Sequence, residues 1–145
     1  MLEKVPLEKV LFLDIETVPQ VYEYEDVDGK AKELFEAKTR WQLKDDKTYH
    51  DLYEERAGIF AEFGKIVCIS VGYINNTTTG KQIRLKSFYH DDEETLLKQF
   101  KSLLDEHYNT PYHILCGHNA KEFDFPYICR RMLINGLRLP NVLDI

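Results

Sequence analysis

With 145 residues, of which 43% are hydrophobic, 30% charged and 12% aromatic, the chain has the size and make-up of a single soluble domain, residues 1–145. A formal charge of −6 excludes a module that coats nucleic acid through a basic face, because counterion release needs clustered Lys and Arg. It does not exclude an enzyme whose acidic site holds divalent metal, since two such ions bring about four positive charges to a cleft.

No apolar run approaches the roughly 18 residues that span a bilayer. The opening MLEKVPLEKV interrupts any signal-peptide core with acids and Pro6. A cytoplasmic protein with no membrane partner is therefore expected. Cys68, Cys116 and Cys129 lie far apart among apolar neighbours, which predicts buried free thiols. No CxxC pair points to zinc.

The first strand covers residues 10–16, VLFLDIE, apolar on both faces as far as Leu13, as in a central strand covered on both sides. A charged, partly helical insertion follows at about 18–62, with helical spacing over 32–43 and 48–63. Insertions of that length usually serve a site or lid it. Its Trp41, Tyr49 and Tyr53 are the candidates for stacking on bases. Residues 66–74 and 82–89 read as a hairpin around NNTTTG at 75–80. Asp91 and Glu94 have capping-box spacing before a helix with Leu96, Leu97, Phe100, Leu103 and Leu104 on one face. A short strand at 112–116 leads into the loop Gly117-His118-Asn119. A helix over about 122–135 then has Pro126 in its first turn and Gly136 past its end. Residues 141–145 read as the start of an extended segment, with Asp144 at a strand edge. This order predicts an α/β fold, a mixed sheet covered by helices.

Asp14 and Glu16 stand two apart on a strand, so their side chains leave the same face just where the strand leaves the core. Ligands bind at that edge of open α/β sheets. Paired anions repel, and a hard cation relieves the repulsion. Oxygen donors without His or Cys beside them favour Mg²⁺ or Mn²⁺. An isolated D-x-E is ordinarily a solvated pair past a strand's end. Here it has company in Asn119-Ala120-Lys121-Glu122-Phe123-Asp124, placed after a second strand. Asp124 alone reads equally well as a helix cap.

Asp14-Ile15-Glu16-Thr17 resembles the first motif of the DEDD 3′–5′ exonuclease superfamily, and residues 119–124 resemble its second, N-x-x-x-F-D. Together with the hairpin and Phe-Gly-Lys-Ile-Val-Cys-Ile-Ser-Val-Gly at 63–72, the wording is most similar to exonuclease domains of family B DNA polymerases, in a stand-alone bacterial form. The resemblance implies a ribonuclease H-like mixed sheet flanked by helices. It implies that Asp14, Glu16 and Asp124 are catalytic and hold two Mg²⁺ or Mn²⁺ ions. Ile15, Thr17, Asn119 and Phe123 would bind substrate, a single-stranded 3′ end, of DNA rather than RNA. The family's third motif, Y-x-x-x-D or H-x-x-x-x-D, is not found after Asp124, so the C-terminal part of the fold is expected to be missing and these 145 residues weak or inactive. The alternative expectation is a non-catalytic ribonuclease H-like module that binds nucleic acid or protein. His118 reads as an exposed loop residue, and Lys121, Arg130 and Arg131 as a solvated basic rim. His50, His90, His107 and His113 show no ligand spacing.

Overall fold

Alternation along the first strand decides the architecture. In the computed structural model, which describes residues 4–44 and 46–144, strand β1 (Val10–Pro19) buries Leu11, Leu13 and Ile15 and exposes Phe12, Asp14 and Glu16. The remaining strands are β2 (Gly64–Thr77), β3 (Gly80–Tyr89) and β4 (Ile114–Cys116). The helices are α1 (Gly29–Thr39), α2 (Tyr49–Arg56), α3 (Glu93–His107) and α4 (Asp124–Ile134). The strands form one mixed α/β sheet in the order β3-β2-β1-β4, with β2 and β3 antiparallel and β1 and β4 parallel. No helix among the described residues is long and apolar enough to cross a membrane.

The described residues fall into two compact units, Thr17–Ile66 and the remainder. In the sheet unit, α3 lays Leu96, Leu97, Phe100 and Leu104 against the sheet, and Phe100 meets Phe88 of β3 edge-on at 5.8 Å. From α4 come the buried Tyr127, Ile128 and Met132. The opposite face is open. Phe12 is 38% exposed and Leu85 81%, so the expectation of a doubly covered first strand is corrected: its apolar residues reach both faces, but only one is covered among the described residues.

Helix ends follow their local chemistry. Asp92, not Asp91, caps α3, accepting from the Thr95 N–H at 2.9 Å. That moves Glu93 into the first turn and inward, where it is buried against Arg131 of α4. The Arg131 Nε donates to both Glu93 oxygens at 3.0 Å, and Asn135 donates to Oε1 at 2.9 Å. Arg131 is therefore a tie between helices, not part of a solvated rim. The end of α4 matches expectation: Gly136, at φ +71, and Leu137 donate to the Leu133 and Met132 carbonyls, closing the helix as a left-handed glycine permits. Residues 141–143 form a turn in place of the expected extended segment, and exposed Asp144 donates from its N–H to the Pro140 carbonyl at 3.0 Å.

The second unit coincides with the charged insertion and has its own core of Val27, Phe35, Leu52, Tyr53, Ala57 and Phe63. Phe35 meets Tyr53 at 5.1 Å and Phe63 at 5.3 Å, both edge-on. Asp28 caps α1, and Thr48 with Asp51 makes a capping box on α2. Tyr53 is 1% exposed and its hydroxyl donates to the Val21 carbonyl, which removes it from the stacking candidates. Tyr49 is half-buried and Trp41 is 80% exposed. The cysteines are corrected as well: Cys116 is exposed, and Cys68 and Cys129 are half-buried.

The buried pair generates a stability prediction. Arg131→Met leaves Glu93 charged without its main partner and is expected to cost about 3–5 kcal/mol in urea denaturation, whereas Glu93→Leu with Arg131→Met recovers most of the loss. Equal stabilities for the single and double variants would contradict this reading of the pair.

Candidate active site

Parallel pairing brings the two acidic motifs together. Strand β4 runs beside β1 with Phe12 opposite Cys116, and then leaves the sheet. Beyond that point no strand among the described residues pairs with this edge of β1. The chain turns through residues 117–123 and returns as α4, whose first residue is Asp124. There the Ile15 N–H, between the two acids of the first motif, donates to Asp124 Oδ1 at 3.2 Å across 109 residues of sequence. A side-chain oxygen replaces the missing strand.

The connecting loop is built for close approach. A Cβ on Gly117 would stand 2.7 Å from both the Leu13 carbonyl oxygen and the Ala120 Cβ, so only glycine lets the loop lie against β1. Asn119 adopts φ +52, a conformation that Asn tolerates, and its carbonyl accepts the Glu122 and Phe123 N–H groups, both at 3.1 Å. The Phe125 N–H bonds the Ala120 carbonyl at 2.8 Å. Phe123, half-buried, packs on Tyr127 with ring centres 5.4 Å apart. The motif's Asn sets the turn, its Phe packs the helix start, and its Asp reaches β1.

The predicted carboxylates differ in environment. Asp14 and Glu16 are exposed and have no ion-pair partner among the described residues. Asp124 is 3% exposed. Burial raises its carboxyl above the ordinary range, and nearby Asp14 adds to this; hydrogen bonds from its own N–H and from Ile15, and the charge of His118, pull the other way. Asp124 and Asp14 thus feel one another. The three carboxylates do not, however, bring three oxygens within 4.8 Å of one another; the described set that does gather ligand atoms so closely is Glu23, Glu25 and His50, in the other unit. The donor set fits a hard divalent ion: oxygens only, two exposed and unpaired, one anchored to the backbone.

Ile15 is buried and contributes its N–H instead of its side chain. Asn119 is exposed at the loop, while Thr17 is half-buried and opens the other unit. His50, which shows no ligand spacing in the sequence, lies 3.6 Å from Glu25 and 3.9 Å from Glu54. The Glu54 approach follows from i,i+4 spacing on α2, whereas Glu25 lies 25 positions away in the sequence.

On this α/β sheet the acids of the two motifs meet at one strand edge. A family model described as "DNA polymerase family B, exonuclease domain" matches residues 3–143. The chain belongs to that family, a family of 3′–5′ exonucleases, hydrolases that act on nucleic acid and normally use divalent metals. No curated protein matches the chain.

Two measurements check this geometry. Gly117→Ala forces backbone apart at Leu13 and is expected to cost about 1–3 kcal/mol of unfolding free energy in urea; an unchanged midpoint would show that the loop does not press on β1. The folded chain holds the Asp124 proton more tightly than the unfolded chain does. This part of metal-free stability is therefore present below the ordinary Asp value of about 3.9 and is lost as pH rises through the raised one. Asp124→Asn removes that loss. The difference in melting temperature between variant and wild type should grow with pH, and added Mg²⁺ should narrow it by binding the ionised wild type. The difference is the right readout because Asp51 and Asp92, lowered by hydrogen bonds from Thr48 and Thr95, slope the other way in both proteins.

Proposed function

We propose that Asp14, Glu16 and Asp124 hold Mg²⁺ or Mn²⁺ and hydrolyse the terminal phosphodiester at a single-stranded 3′ end, of DNA in preference to RNA. The observation that carries the reading is the hydrogen bond from the Ile15 N–H to Asp124, which joins the second acidic motif to the first. The family supports a nucleic-acid substrate, and its polymerase context supports DNA.

In this reading each residue has a separate task. Asp14 and Glu16 supply exposed charge for the cation, and among the described residues no ion-pair partner competes for it. Asp124 supplies a third oxygen from a buried, backbone-anchored position, so little ordering entropy is left to lose on binding. A divalent ion, when bound, supplies Lewis acidity to the phosphoryl oxygens and to the attacking water. Asn119 and Phe123, on the rigid loop and helix start, contact the terminal nucleotide. The pull of the raised Asp124 towards its proton makes metal binding compete with protonation, so activity falls as pH drops, starting above the ordinary carboxylate range.

A second reading, a non-catalytic module that binds a nucleic-acid end or a protein, draws support from the three carboxylates' failure to gather as closely as the Glu23, Glu25 and His50 set. One assay separates the two. The full chain is incubated with end-labelled single-stranded DNA and RNA and with Mg²⁺ or Mn²⁺. The exonuclease reading expects nucleoside 5′-monophosphates released from 3′ ends, abolished by chelator and lowered about a hundredfold or more by Asp14→Ala. Binding without release in both metals supports the non-catalytic reading, whereas an Asp14→Ala variant as active as wild type contradicts the assignment of Asp14.

A further inference from the structure

His118 occupies a constrained place in this site. It stands between Gly117, which lies against the Leu13 carbonyl, and Asn119, whose positive φ and two accepted N–H groups set the turn. Its backbone is therefore held by both neighbours. The side chain is exposed and has no hydrogen-bond or ion-pair partner among the described residues. It lines the same open groove as Asp14, Phe12, Ser70, Leu85 and Cys116, about 500 Å³ in volume. The carboxylates at this edge accept hydrogen bonds and donate none, whereas a phosphodiester presents only acceptors. A neutral imidazole always keeps one N–H, and a charged one has two.

We propose that His118 binds the phosphate of the 3′-terminal nucleotide, donating a ring N–H to a non-bridging oxygen while Asp14 serves the cation beside it. This rests on the exonuclease reading above and adds to it a substrate-binding residue outside the carboxylate set. The bland alternative is a solvated loop histidine. Against it stand the fixed backbone on both sides and the shared groove with Asp14.

The test uses the full chain with Mn²⁺, single-stranded DNA, and thymidine 5′-monophosphate as a product probe. His118→Ala is expected to raise KM, and the calorimetric Kd for the monophosphate, about tenfold with kcat little changed, because the contact is made equally in ground and transition states. His118→Gln, which keeps a donor, is expected to recover most of the loss, and the Kd for Mn²⁺ alone stays at the wild-type value in both variants. The proposal is overturned if His118→Ala leaves KM and the monophosphate Kd unchanged, if Gln is as poor as Ala, or if Mn²⁺ affinity falls with them. Wild-type protein that cleaves normally while His118→Ala does too sinks this inference alone. A wild type with neither cleavage nor monophosphate binding sinks the exonuclease reading and this inference with it.

Discussion

The hydrogen bond from the Ile15 N–H to Asp124 joins what the chain keeps far apart. A parallel edge strand of three residues, β4, cannot satisfy the whole of β1, and the polar group left over at Ile15 is buried. Filling that position with a carboxylate instead of another strand turns a structural necessity into a charged feature, placed between the two acids of Asp14-Ile15-Glu16. The cost appears on Asp124 itself, which burial pushes towards its protonated form. A carboxylate whose burial resists its charge, next to like charge, is suited to a cation.

Other features support this junction. The Glu93–Arg131 tie fixes α4 to α3, and α4 carries Asp124 as its first residue. The Schellman closure at Gly136 ends the same helix cleanly, and Gly117 permits the loop to touch β1. Each is a backbone or buried-charge device. On the open face of the sheet, Phe12, Leu85, Cys116 and Gly117 line a groove that also holds Asp14.

Much of this was legible in the residues. Period-two alternation placed Asp14 and Glu16 on one face, and turn and capping chemistry located the hairpin, the helices and Gly136. Local patterns report which face a residue takes, but not what meets it there. The sequence reading therefore put the α3 cap one residue early, treated Arg131 as solvated, took Tyr53 for a stacking surface, and left Cys116 buried. For two of these the deciding partner lies far along the chain: Glu93 for Arg131, 38 positions away, and Val21 for Tyr53, 32 away. The meeting of Asp124 with β1 was inferred from motif order, while its form, a bond to the Ile15 N–H, was not visible in any pattern. The Glu23, Glu25 and His50 group escaped notice for the same reason.

That second group makes the most direct test a question of where a cation goes. Mn²⁺ titration of the full chain, followed by calorimetry, is predicted to show saturable binding that is lost or greatly weakened in Asp14→Ala and in Asp124→Ala and retained in His50→Ala. Binding that survives both aspartate substitutions and vanishes with His50 would contradict the account, because the metal would then sit on the other unit and the carboxylate at Ile15 would be structural only.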